Sequence, residues 1–284
     1  MFSYRHAFHA GNHADLLKHY LLTRTLAYYA QKAKAFDYID THAGAGYYDL
    51  TAAYAQKNCE YQSGIARLDA APDLPAPLAA WRAQMRELQP APDTYPGSAW
   101  IAARLLPPSS KLHLFELHPT DHAALAQNLR PLHLGRRLRL QQADGFAGLI
   151  SLLPPTSRRA VILIDPPYEQ KYGYKNEYEM VLDTLSAAQS RFASGSYLIW
   201  YPCLPRGDGS QFAMQLTARF GYNFLRAELH VRAASGMYGM YGSGMFIINP
   251  PYTLPGELQT VLPALQALCA EDSGSKFILK ARIP

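Results

Sequence analysis

Residues 160–170 read AVILIDPPYEQ, a run of apolar strand formers that ends in Asp165, Pro166, Pro167 and Tyr168. A tetrad of this kind suits the chemistry of an exocyclic amine on a purine. Such an amine is a poor nucleophile because its lone pair is delocalised into the ring. Two acceptors on its two N–H bonds, the Asp165 carboxylate and the Pro166 carbonyl, would favour a pyramidal nitrogen with its lone pair aimed at an electrophilic methyl group. The prolines fix φ and carry no N–H, so the carbonyl stays rigidly presented. Tyr168 offers a face on which the base can stack. Asp165 is also a plausible acceptor for the released proton, with positioning and preorganised charge doing most of the work.

A methyl donor needs a site of its own. Asp40, Thr41, His42, Ala43, Gly44, Ala45 and Gly46 form an acid, three residues and Gly-x-Gly after a short strand. Glycines there let the backbone turn sharply and approach a ligand. A lone Gly-x-Gly is a weak signal, and position 49 is Asp where a dinucleotide fingerprint requires a third glycine. Glu116 closes "LHLFE", where a carboxylate would accept both ribose hydroxyls of a nucleoside. Asp144-Gly145 follows "LRLQQA", a position suited to an adenine amino group. Ligands of parallel α/β sheets sit outside the carboxyl ends of the strands. Three acids at successive strand ends therefore point to S-adenosylmethionine.

These residues imply the elements that carry them. A helix opens near Asn12 with an apolar stripe through Leu16, Leu17, Tyr20, Leu21 and Leu26. A short strand ending in a glycine turn is expected within 35–50, and further strands in 111–119, 137–146, 159–168, 196–202, 223–231 and 244–251, the first five of the seven separated by helices and the last two forming a hairpin. The expected fold is α/β: a Rossmann-like class I methyltransferase fold, with a seven-stranded, mostly parallel sheet whose last strand is antiparallel. Residues 1–51 and 95–284 would make that domain. Residues 52–94, with helical pieces near 59–70 and 76–89, would be an inserted small helical subdomain. "MFIINPPYT" (245–253) nearly repeats the first tetrad with Asn249 in place of the acid. On an antiparallel last strand it would end at the opposite edge of the sheet from the cofactor, as a structural exit.

Hydrophobic residues make up 49% of the 284, enough for a sizeable core, and charged residues interrupt the first 25 residues and any membrane-length run. Three cysteines spaced far apart argue against a disulfide framework. A cytoplasmic monomer is the expectation. A net charge of +5 and twenty tyrosines favour a nucleic-acid partner. Lys171, Lys175, Arg136 and Arg137 are candidates for phosphate contacts, and 169–176 with the insertion for a lid. His6, His9, His13 and His19 match no familiar zinc spacing, so no metal is expected. The helix that carries them reads equally as a surface helix or as a cofactor wall with Lys18 and His19 turned into the cleft.

"SYRHAFHAGNHADLLKH", "DTHAGAGYY", "YPGS", "ELHP", "ADGF" and "LIDPPYE", in that order, resemble the RlmJ family of bacterial 23S ribosomal RNA adenine-N6 methyltransferases, nearly end to end. The resemblance implies methyl transfer from S-adenosylmethionine to one adenine of 23S ribosomal RNA, flipped out of its stack. It implies cofactor contacts at His19, His42, Ser98, Glu116, Asp144, Gly145 and Asp165. Asp165 would be the catalytic acceptor, and Tyr4 would join Pro166 and Tyr168 in touching the substrate. Alternatives are a DNA adenine methyltransferase, a ribosomal RNA guanine-N2 methyltransferase, or a non-enzymatic RNA-binding assembly factor on the same fold.

Overall fold

The computed structural model describes residues 5–168, 176–234 and 239–284. In chain order these form α1 (His13–Ala30), β1 (Asp37–Asp40), β2 (Tyr47–Asp49), α2 (Ala53–Asn58), α3 (Ile65–Ala70), α4 (Ala76–Leu88) and β3 (Thr94–Pro96). Next come α5 (Ser98–Leu105), β4 (Lys111–Phe115), α6 (Pro119–Leu129), β5 (Leu138–Gln141), α7 (Gly145–Leu152) and β6 (Ala160–Ile164). The rest are α8 (Glu177–Arg191), β7 (Ser196–Cys203), α9 (Asp208–Phe220), β8 (Phe224–His230), β9 (Gly242–Ile248), α10 (Leu254–Cys269) and β10 (Lys276–Arg282). Short 3-10 turns lie between some of them. No described helix is long and apolar enough to cross a membrane.

Hydrogen bonding orders eight strands as β10-β8-β9-β7-β6-β1-β4-β5, while β2 pairs with β3 separately. The α/β fold with a mostly parallel sheet is as the sequence implies. The strand count is eight rather than seven, because β10 adds to the edge by pairing antiparallel with β8. β9 is antiparallel to β8 as expected, but it is not the last strand of the chain.

Described residues group into two compact units. The first holds 22–47 and 97–199. There β1 pairs in parallel with β4 and β6, β4 with β5, and β6 with β7. Every residue of β1 and β6 is buried, as a parallel strand covered on both faces requires. Because these strands run in one direction, the residues just past their carboxyl ends collect at a single edge.

The second unit holds 5–21, 48–96 and 200–284. The helices of 52–94 group in this unit with 5–21 and 200–284. Asn12 starts α1, its side-chain oxygen capping the N–H groups of Ala14 at 2.9 Å and Asp15 at 3.1 Å. Just before it, the carbonyl of Gly11 (φ +77°) accepts the N–H of Ile65 at 2.8 Å. A Cβ on Gly64 would lie 2.1 Å from the Gly11 carbonyl oxygen. Only two bare glycines allow this approach. Tyr20, on the buried face of α1, packs edge-on against Trp81 of α4 at 5.4 Å.

Gly64→Ala is expected to destabilise the protein by about 1–3 kcal/mol or more, since backbone rather than a side chain must yield. Chemical denaturation reads this; an unchanged midpoint would mean that the contact is dispensable.

Candidate active site

The first unit assembles its polar residues at the carboxyl ends of its strands. Asp40 ends β1 fully buried. Its carboxylate accepts the Ser98 hydroxyl at 2.7 Å, the Tyr38 hydroxyl at 2.8 Å and the His42 N–H at 3.2 Å. Burial nevertheless pushes its pKa up to about 6, against those bonds, with the nearby charge of Asp165 adding to the rise. Sequence reasoning assigns no role to Asp40 or Tyr38. The signal is nonetheless present, because Asp40 is the acid that opens the Gly-x-Gly turn.

Beyond Asp40 the chain makes that turn with Gly44 (φ +61°) and Gly46 (φ +89°), both in the left-handed region. The Gly44 N–H reaches Glu116 Oε2 at 2.8 Å, and the His118 N–H reaches Oε1 at 2.7 Å. Each oxygen keeps a second lone pair. Burial raises the Glu116 pKa to about 7 despite these two donors. His42 is pushed down to about 4 by burial, against the pull of Asp165 and Asp144, so its ring is neutral near pH 7. It lies edge-on to Phe146 with centroids 5.1 Å apart.

Asp144 follows β5 as the N-cap of α7, Oδ1 accepting the Phe146 N–H at 2.8 Å. Next to it, a Cβ on Gly145 would stand 2.0 Å from the Thr41 carbonyl oxygen. Glycine is required for the turn after β1 and the start of α7 to meet. Asp165 follows β6 half-buried, and its charge acts on Tyr38, Asp40 and His42. Pro166 is buried. Tyr168 is also buried, at φ +53°, with its ring 4.5 Å from that of Tyr178 and tilted by 36°. Its ring therefore packs on a neighbour of its own chain as well as standing beside the tetrad.

His42, Ser98, Glu116, Asp144, Gly145, Asp165, Pro166 and Tyr168 all belong to the first unit. His19 belongs to the second. There it is buried, with Nδ1 2.9 Å from the Tyr95 hydroxyl and its ring stacked on Tyr95. Burial holds its pKa at about 3. Lys18, beside it, places Nζ 2.9 Å from Asp15 Oδ1 and 5.9 Å from the Trp200 ring. Asp15 also binds His6 Nε2 at 3.0 Å and the Gly11 N–H at 2.9 Å.

Two phosphate candidates fare differently. Arg137 donates to the carbonyls of Ser110, Leu106 and Pro107 at 3.0–3.1 Å, so its guanidinium clamps a loop rather than awaiting a phosphate. Arg136 is exposed. Tyr4, Lys171, Lys175 and nearly all of the lid candidate 169–176 lie outside the described residues.

The N-terminal histidines are engaged with carboxylates, His6 with Asp15 and His9 with Glu60. Among the described residues Cys203, Glu228 and His230 could converge on an ion. Glu228, however, already receives Tyr201 at 2.8 Å, Arg226 and His230. The Arg226 guanidinium already pairs with one oxygen of that carboxylate and His230 with the other.

Asn249 of the second tetrad lies in the second unit, where its side-chain oxygen accepts from Asn223 at 3.1 Å and its N–H reaches the Asn223 carbonyl at 3.0 Å.

Residues 33–279 match the family described as "Ribosomal RNA large subunit methyltransferase D, RlmJ". The chain is 42% identical to "Ribosomal RNA large subunit methyltransferase J" of Escherichia coli (strain K12) over 269 residues, 94% of each chain. It is 39% identical to the protein of the same name from Haemophilus influenzae, over 97% of each. A crystal structure of a Legionella pneumophila protein superposes with a TM-score of 0.84 at 34% identity, covering 96% of this chain and 98% of that one.

Ribose hydroxyls donate to a carboxylate better than to a carboxylic acid. If Glu116 holds a ribose, S-adenosylhomocysteine affinity is full above pH 7 and falls as pH drops through about 7, where Glu116 gains its proton. Glu116→Gln should bind more weakly at pH 8 and lose this pH dependence. Calorimetric titration from pH 5.5 to 8.5 checks both; a parallel pH profile in the variant would exclude Glu116.

Proposed function

The chain belongs to the family of ribosomal RNA large subunit methyltransferases, RlmJ, and from that premise we propose that it methylates the exocyclic N6 of a single adenine in 23S ribosomal RNA. Its methyl donor is S-adenosylmethionine, which supplies an electrophilic methyl group when bound. The first unit's residues fit such a group. Glu116 retains lone pairs for two hydroxyls, the glycine turn leaves backbone bare, and Gly145 lets the start of α7 meet the turn after β1 at Thr41. In this reading His42, Ser98, Glu116, Asp144, Gly145 and Asp165 hold the cofactor.

The observation that carries the reading is the place of Asp165. It leaves β6 at the same strand edge as Asp40, Glu116 and Asp144, and its charge reaches both Asp40 and His42. Asp165 and the Pro166 carbonyl accept the two N–H bonds of the target amine. Forming the N–C bond would break the donor's S–CH3 bond and leave S-adenosylhomocysteine, and Asp165 would accept the N–H proton that the amine gives up. Tyr168 holds the base and Tyr4 contacts the RNA. The base must leave its stack to enter, so an unpaired or flipped adenine is the substrate.

Incubation with unmodified ribosomal RNA and methyl-labelled cofactor, then nucleoside analysis, should yield N6-methyladenosine. N2-methylguanosine would refute the choice of base. Asp165→Ala should lower turnover on the order of a hundredfold or more with the thermal unfolding midpoint unchanged. Turnover near the parent's would remove Asp165 from this role.

A further inference from the structure

The second unit carries a group of side chains that the proposed reaction leaves unused. Phe8, in the turn before α1, meets Tyr54 of α2 edge-on, with ring centroids 5.0 Å apart. The guanidinium of Arg5 lies over the Tyr54 ring at 5.5 Å, and the ammonium of Lys57 over the Phe8 ring at 5.5 Å. Tyr54 and Lys57 stand three residues apart on α2, on one face. The tyrosine is 45% exposed, a large ring left half in water. Lys57 is exposed too.

Glu60, three residues after Lys57, does not cancel these charges. Glu60 is turned to His9 Nδ1 at 2.8 Å and to the Asn12 amide at 2.9 Å. Among the described residues neither Arg5 nor Lys57 forms an ion pair with a carboxylate. Cation–π contacts at a wet surface are weak, so both cations can leave their rings for a stronger partner at little cost. Alternating exposed ring and unpaired cation is the chemistry that takes a nucleobase on its face and a phosphate at its edge. An acidic peptide would use the cations but not the ring.

We propose that Arg5, Phe8, Tyr54 and Lys57 form a docking surface for an unpaired segment of RNA, with a base stacked on Tyr54 and backbone phosphates on Arg5 and Lys57. It rests on the reading that RNA is the substrate, and it gives α2 a recognition role separate from the chemistry at Asp165.

The test uses the full-length protein and a fluorescein-labelled single-stranded RNA from the large-subunit ribosomal sequence, titrated by anisotropy at increasing KCl. Lys57→Ala and Arg5→Ala should each weaken binding and reduce the slope of log affinity against log salt by about 0.7. Tyr54→Ala should weaken binding about tenfold with the slope kept, and Tyr54→Phe should restore it. S-adenosylhomocysteine affinity, measured calorimetrically, should match the parent throughout. If Tyr54→Ala disturbs that binding, the exposed Lys57 decides. Parental affinity and slope in Lys57→Ala and Tyr54→Ala, with the parent protein methylating RNA, would overturn the docking surface and leave the reaction standing. A parent that neither binds nor methylates ribosomal RNA would overturn both.

Discussion

Strand β1 is hydrogen-bonded on both sides, to β4 and to β6, and in one direction. The candidate site depends on that double pairing. A strand so placed is dry on both faces, and polar groups can be presented only where it ends. Asp40 sits at that end with no exposure. Burying a carboxylate is costly unless donors surround it, and here the donors come from Ser98 at the start of α5, Tyr38 within β1 and the N–H of His42. The same three bonds fix the start of the glycine turn, and the turn in turn aims Gly44 at Glu116. A single buried acid thereby sets the spacing between two strand ends.

The second unit buries an acid under opposite rules. Asp15 is as inaccessible as Asp40, and burial alone would raise its pKa. Its neighbours are His6, Lys18 and His19, whose charges and hydrogen bonds hold the carboxyl well below its usual range. Asp40 has only hydroxyls and an amide, and an acid beside it, so burial wins there. Donor type, more than donor number, decides the direction. One acid stays ionised as the hub of a structural cluster; the other is poised to respond to charge placed near it.

Legibility in the sequence divides in the same way between local and distant causes. The strand–helix alternation from Lys111 to Phe220 is readable because each element carries its own pattern, and the acids at strand ends come with it. Helix α10 and strand β10 escape a reading of the sequence. Pro255, Gly256 and Pro263 interrupt the helical pattern of α10, yet Leu254, Leu258, Val261, Leu262 and Leu265 still make a buried stripe. β10 owes its place to pairing with β8, a partner far along the chain. Asp40 is visible in the sequence as part of a turn, but its role is not, since its donors Tyr38 and Ser98 converge only in the fold. Arg137 fails as a phosphate candidate because a cluster of charges in sequence does not show that three carbonyls already take the guanidinium.

The two Pro-Pro-Tyr tetrads show how far identical letters can part in meaning. Each has one non-glycine residue in the left-handed region, but at different places: Tyr168 ends the first and Asn249 begins the second, both at φ +53°. Asparagine tolerates that conformation, whereas an aromatic residue there is strained by an amount on the order of 1–3 kcal/mol. Asn249 is also tied to Asn223, which closes an antiparallel pair and leaves its amide engaged with its own sheet. The Tyr168 ring packs on that of Tyr178, from the helix beyond the tetrad. Strained backbone of this kind clusters at functional sites. The relaxed tetrad ends a strand, and the strained one faces the edge where the acids of β1, β4 and β5 gather.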